Sequence, residues 1–211
     1  MTDALMTAEK LLQTGAVKLS PNQPYTWASG WKSPIYCDNR KLLSNPYTRD
    51  YIKSELCNLV FDKFPEAEVI AGVATAGIPW GALVADQLKL SFVYVRPKPK
   101  EHGMGNQVEG DLKTGQKVVI MEDLVSTGVS SLQVASLLKS TGSEVIGMAA
   151  IFNYDFSQTT VAFEKAGVTL YSLTNYPTLV ELAAKKGVLT GSEEEVLLKW
   201  RSDPSGWVPD A

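Results

Sequence analysis

The chain has 211 residues, 45% of them hydrophobic and 20% charged, and its 20 Lys and Arg against 23 Asp and Glu leave a net charge of −3. That composition suits a globular chain with a sizeable core, and its mild acidity argues against a general nucleic-acid binder, which carries a basic excess. No apolar run approaches the roughly 20 residues of a membrane span, Glu9 and Lys10 interrupt any signal-peptide core, and two cysteines without metal or disulfide spacing point to a reducing, cytoplasmic setting.

Leu5, Ala8, Leu11 and Leu12 share one face of a helix predicted over 3–13, with Gly15 as its stop. From Gln23 to Arg40 the texture changes. Pro24, Trp27, Gly30, Trp31, Pro34, Tyr36 and Asn39 predict an ordered, aromatic-rich loop with short extended pieces. Asn45 as cap and Pro46 in the first turn then open a helix that runs to about Phe64. Strands follow over 69–73, 92–95, 118–121, 145–152 and 168–173, and helices over 78–88, 130–139, 159–165, 178–185 and 193–199. The stretch 96–110 is polar and glycine-rich and reads as a loop. Unbroken apolar strands alternating with helices predict an α/β fold, a mostly parallel central sheet flanked by helices on both faces. One domain over 1–211 is expected, with 1–45 as an N-terminal extension. In such sheets ligands bind beyond the carboxyl ends of the strands, so chemistry belongs in the strand-to-helix loops.

Residues 118–130 read VVIMEDLVSTGVS: four apolar residues, two acids, then small and hydroxyl residues leading into a helix. Backbone N–H groups over 125–130 and the hydroxyls of Ser126, Thr127 and Ser130 can wrap a phosphate at a helix N-terminus. Gly128 permits the close approach. Carboxylates at Glu122 and Asp123 would repel a triphosphate but suit neutral sugar hydroxyls, so a ribose 5-phosphate fits. The competing reading, two solvated acids before an ordinary capped helix, does not explain this order of residue types. No Gly-Lys-Ser or Gly-Lys-Thr is present, which excludes a Walker A loop. In the stretch 96–110, Arg96, Lys98 and Lys100 form a basic cluster beside His102, the only histidine. Such a loop at the binding edge of the sheet suits closure over a diphosphate.

On these residues the chain resembles the type I phosphoribosyltransferases, whose 5-phosphoribosyl 1-diphosphate (PRPP) motif is similar to 122–130. The loop carrying Arg96, Lys98, Lys100 and His102 resembles that of the orotate members. So do Tyr25-Thr26-Trp27-Ala28-Ser29-Gly30, Lys32-Ser33-Pro34-Ile35-Tyr36 and the 71–81 segment AGVATAGIPWG. The resemblance implies the type I fold, with the N-terminal extension as a hood over the base. It implies transfer of ribose 5-phosphate from PRPP to orotate, Mg²⁺ as cofactor, and a homodimer in which the basic loop completes the neighbouring site. It places PRPP on Arg96, Lys98, Lys100, His102, Thr75, Ala76, Glu122, Asp123, Leu124, Val125, Ser126, Thr127, Gly128, Val129 and Ser130. Orotate falls to Ser126, Lys32, Ile35 and Tyr36, catalysis to Lys100, His102 and Asp123, and a weak metal contact, mainly through substrate and water, to Asp123. Neither nucleic acid nor membrane is implied as a partner.

Two departures stand out. Ala28 occupies a position where many members carry lysine, and Pro97 one that is lysine in the enterobacterial type, with Lys98 available one residue later. Some members hold orotate with an arginine after the PRPP motif; here that region is Phe152-Asn153-Tyr154, and no arginine occurs between Arg96 and Arg201. This pattern resembles the subgroup typified by Gram-positive bacteria, and leaves Lys32, Arg40 or backbone amides for the orotate carboxylate. A purine phosphoribosyltransferase and a PRPP-sensing regulator are the rival readings.

Overall fold

The apolar segments pair into one twisted sheet in the computed structural model, which describes residues 3–97 and 107–209. In chain order the elements are α1 (Ala4–Gln13), β1 (Val17–Leu19), β2 (Tyr25–Thr26), β3 (Lys32–Ser33), β4 (Ile35–Cys37), a 3₁₀ turn (Asn39–Ser44) and α2 (Pro46–Lys63). There follow β5 (Val69–Val73), α3 (Gly77–Leu88), β6 (Ser91–Val95), β7 (Val108–Glu109), β8 (Lys117–Val125), α4 (Val129–Ser140) and β9 (Glu144–Asn153). The chain closes with α5 (Ser157–Ala166), β10 (Leu170–Asn175), α6 (Tyr176–Lys185) and α7 (Gly191–Ser202). The sheet order is β10-β9-β8-β5-β6-β7, parallel throughout except for β7, which runs antiparallel to β6 at the edge.

Each central strand feeds two cores. Ile70, Val119, Met121, Ala149 and Ile151 join the cluster that includes α1, α2, α3 and α6, while Val69, Ala71, Val118, Ile120 and Met148 join the one with α4 and α5. Both faces are covered, which is why these strands read as continuous apolar runs. Helix starts follow local chemistry: Asp3 accepts from the Met6 N–H at 2.9 Å, and Asn45 from the Thr48 N–H at 3.0 Å ahead of Pro46. Gly77 lets α3 press on β8, since a Cβ there would lie 2.3 Å from the Met121 carbonyl oxygen.

Two features depart from the sequence-based expectation. The antiparallel edge strand β7 lies inside the stretch read as loop. More important, β8 continues past its apolar residues through Glu122 and Asp123 to Val125. The backbone ladder supplies the reason: β9 still pairs there, Val125 opposite Asn153, whereas pairing with β5 ends at Met121 opposite Gly72. Residues 122–125 therefore overhang β5.

The aromatic segment folds as two small antiparallel pairs, β1 with β4 and β2 with β3. Trp27 packs edge-on against Tyr154 at 5.1 Å and against Trp200 at 5.6 Å between ring centroids. Trp200 is fully buried and its Nε1 donates to the Lys32 carbonyl at 2.9 Å, so α7 anchors this segment to the main body. Helix α1 instead packs against α6 and β10.

Candidate active site

The overhang of β8 opens a cleft of about 350 Å³ beside the end of β5. Its walls include Ala74, Thr75 and Ala76 after β5, Asp123, Ser126 and Ser130, and Arg40 from the 3₁₀ turn with Asp38 that caps it. Successive connections leave β5 and β8 on opposite sides of the sheet, the switch point at which parallel α/β sheets bind ligands. Helix α4 begins at the same cleft. Its N-cap Gly128 has φ 76° and makes no side-chain cap bond among the described residues, and a Cβ there would meet the Phe163 ring at 2.6 Å. The first-turn N–H groups of α4 are thus left for an anion, at the positive end of the helix. Thr159 Oγ1 donates to the Ser126 carbonyl at 2.6 Å and holds the loop in place.

The two acids differ. Glu122 is buried, accepts from Ser131 Oγ at 2.9 Å, and has its pKa pushed up to about 8, mainly by burial and then by the charge of Asp123. Asp123 is half-buried, and desolvation raises its pKa to about 6 despite N–H donors from its own backbone and Leu124 and the nearby Arg40. Asn39 Nδ2 donates to the Asp123 carbonyl at 2.7 Å, fixing the main chain from the N-terminal segment. A carboxyl that ionises from 4.5 upwards in water but only near 8 in the fold keeps its proton longer in the native state. The ligand-free protein therefore loses stability as pH rises between these values. Glu122→Gln is expected to flatten that decline, as read by urea unfolding at about pH 5 and about pH 8; an unaltered slope would contradict the raised pKa.

A second cleft of about 500 Å³ lies alongside, lined by Thr26, Trp27, Trp31, Tyr36 and Tyr154. Cys37, Leu124 and Ser126 line both clefts. Flat aromatic walls here suit a planar ring, and the shared wall places that ring next to whatever occupies the polar cleft.

The predicted residues distribute unevenly. Glu122, Asp123, Leu124, Ser126, Gly128 and Ser130 meet at the polar cleft with Thr75 and Ala76. Thr127 and Tyr36 line the aromatic one. Val125 lies in the core and Val129 is exposed, and neither lines either cleft. Lys32 is exposed and does not line the aromatic cleft, its Nζ donating to Oγ1 of the cleft residue Thr26 at 2.8 Å. Ile35 is fully buried, and its carbonyl accepts from Trp27 Nε1 at 3.2 Å. Arg40 pairs with Asp38 at 2.6 Å on the polar cleft, away from the aromatic walls. Arg96 lies with Ala74 and Ser130 on an adjoining recess of about 240 Å³, its guanidinium 3.4 Å from Glu109. Lys98, Lys100 and His102 lie outside the described residues. Asp38 and the pocket role of Tyr154 escaped the sequence reading. The position of Tyr154 directly after β9 was the available signal.

A family model described as the phosphoribosyl transferase domain matches residues 44–167. The orotate phosphoribosyltransferase of Phocaeicola vulgatus is 52% identical over 95% of this chain and 94% of its own. The chain belongs to the orotate phosphoribosyltransferase family. The Listeria monocytogenes (serotype 4b) orotate phosphoribosyltransferase is 50% identical over 95% of this chain and 96% of its own. The crystal structure of the Aeropyrum pernix orotate phosphoribosyltransferase superposes with a TM-score of 0.76, at 30% identity, covering 88% of this chain and 100% of that one. The 44–167 match contains the 73–76 and 122–131 walls of the polar cleft but not Asp38 or Arg40, and in the aromatic cleft it contains Tyr154 whereas Thr26, Trp27, Trp31 and Tyr36 precede it. In this orotate phosphoribosyltransferase family member the aromatic cleft is thus built largely from the segment that precedes the matched domain.

Proposed function

We propose that the protein transfers the 5-phosphoribosyl group of PRPP to orotate, giving orotidine 5′-monophosphate and diphosphate in pyrimidine nucleotide synthesis. The single observation that carries this reading is the pair of clefts meeting at Ser126: a polar one at a helix N-terminus, and an aromatic one sharing its wall. Ribose C1 sits at the junction in this arrangement. The bond from C1 to the diphosphate oxygen breaks, the bond to orotate N1 forms on the opposite face as N1 gives up its proton to the departing diphosphate or to solvent, and the configuration inverts.

The chain's own groups then divide the work. The α4 N-terminus with Ser126, Thr127 and Ser130 holds the 5-phosphate, and Asp123 accepts hydrogen bonds from the ribose hydroxyls. Thr75 and Ala76 face the diphosphate, and Arg96, with Lys98 and Lys100 from the basic loop, compensates the charge that grows on it as it leaves. His102 donates a proton or hydrogen bond to the same group. Tyr36 and Ser126 border the base. Among the described residues no three His, Cys, Asp or Glu side chains cluster as a metal site. That donor set fits Mg²⁺ held mainly by substrate oxygens and water with Asp123 as the one protein contact, and when bound the ion neutralises diphosphate charge.

The basic-loop resemblance supports a homodimer with each loop completing the neighbouring site, which analytical ultracentrifugation tests. No helix among the described residues is long and apolar enough to cross a membrane, and Cys37 and Cys57 are free thiols, in keeping with a cytoplasmic setting. The deciding assay mixes protein, Mg²⁺ and PRPP with orotate, xanthine or adenine and follows base absorbance and diphosphate release. Turnover with orotate alone is expected. Consumption of xanthine or adenine in its place would transfer the chain to the purine reading, and tight PRPP binding with no turnover to the regulator reading.

A further inference from the structure

Trp200 and the rings packed against it have four polar tips, and three of them are spent on the backbone. Trp27 Nε1 donates to the Ile35 carbonyl at 3.2 Å, Trp200 Nε1 to the Lys32 carbonyl at 2.9 Å, and Tyr176 Oη to the Leu197 carbonyl at 3.0 Å. The fourth, the hydroxyl of Tyr154, has no partner among the described residues. It is not sealed away either: the buried, unpartnered side-chain atoms among those residues are Trp80 Nε1, Thr174 Oγ1 and Arg201 Nε. Tyr154 itself is only 2% exposed and lines the aromatic cleft, so its hydroxyl reaches open space there.

Packing holds this ring from several sides. Trp27 and Phe152 each meet it edge-on with centroids 5.1 Å away, and Phe156 stacks on it at 5.5 Å. A phenol fixed this firmly, with an unused donor at the wall of a ligand pocket, is preorganised to donate rather than to fill space.

We propose that Tyr154 is a specificity-determining residue of the base pocket, its phenolic O–H donating a hydrogen bond to an oxygen of the bound pyrimidine. This inference rests on the orotate reading and assigns to it a donor immediately after β9. A planar base with acceptor oxygens satisfies the phenol, whereas a base presenting only C–H at that point leaves it unpaired at a cost.

The test is Tyr154→Phe in the full chain, which removes one oxygen and keeps the ring packing. The orotate KM is expected to rise about tenfold, with the PRPP KM and the melting temperature essentially unchanged. An unchanged orotate KM, or equal losses for both substrates, overturns the inference. A crystal structure of the wild-type protein with orotate reads the same point without any variant. A base oxygen within about 3.2 Å of Tyr154 Oη supports the role, and its absence overturns it. Wild-type turnover of orotate is measured in parallel, so failure of the orotate reading itself is seen separately, as a wild type that does not consume orotate.

Discussion

Trp200→Ala is expected to destabilise the protein by about 3–5 kcal/mol, the range for emptying a large buried aromatic site, and to raise the orotate KM. The side chain is fully buried, with ring centroids of Trp27, Phe156 and Tyr176 within 5.6 Å. Truncation leaves a cavity under the aromatic pocket and strips the Lys32 carbonyl of its donor. Trp200→Phe refills part of the space without restoring the N–H and should cost less, so the difference between the two separates packing from the hydrogen bond. Denaturant unfolding with orotate kinetics on the same samples checks both parts. A loss below about 1 kcal/mol for the alanine variant would mean that α7 does not hold the N-terminal segment.

Asp123→Asn is expected to weaken PRPP binding about 10- to 100-fold by calorimetry while leaving thermal stability equal or higher, a hydrogen bond to a charged group being worth about 1.5–3 kcal/mol. The two effects part company because the carboxylate is desolvated in the fold, which raises its pKa to about 6 and makes its charge a burden on the ligand-free protein. The amide keeps the shape and removes that burden. Its main-chain carbonyl still accepts from Asn39, so the strand end stays in place. A group that weakens the fold and strengthens the ligand is the signature of a functional position. Undiminished PRPP affinity would remove Asp123 from the ribose site.

Much of the fold was legible because its drivers are local. Asn45 with Pro46, and the unbroken runs Val69–Val73 and Val118–Met121, announce a capped helix and buried parallel strands without reference to anything distant. What local pattern did not reveal came from long-range pairing. Glu122 and Asp123 lie inside β8 because β9 continues beside them, and polar residues end an apolar run without ending a backbone ladder. The two-residue strand β7 exists only because β6 presents an edge. The site divided in the same way. The loop 122–130 carries its chemistry in consecutive residues, whereas Asn39 on the Asp123 carbonyl and Trp200 beside Trp27 depend on contacts across the chain. The aromatic pocket is the part where sequence order says least, since Trp27 and Tyr154 meet only in three dimensions.

A crystal structure with PRPP and Mg²⁺ bound shows directly whether the sugar phosphate occupies 122–130. The 5-phosphate is predicted to sit on the N–H groups that open α4, with the ribose hydroxyls on Asp123 and the diphosphate turned toward Thr75 and Arg96. A sugar phosphate found away from 122–130, or an empty cleft at saturating PRPP, would contradict the account.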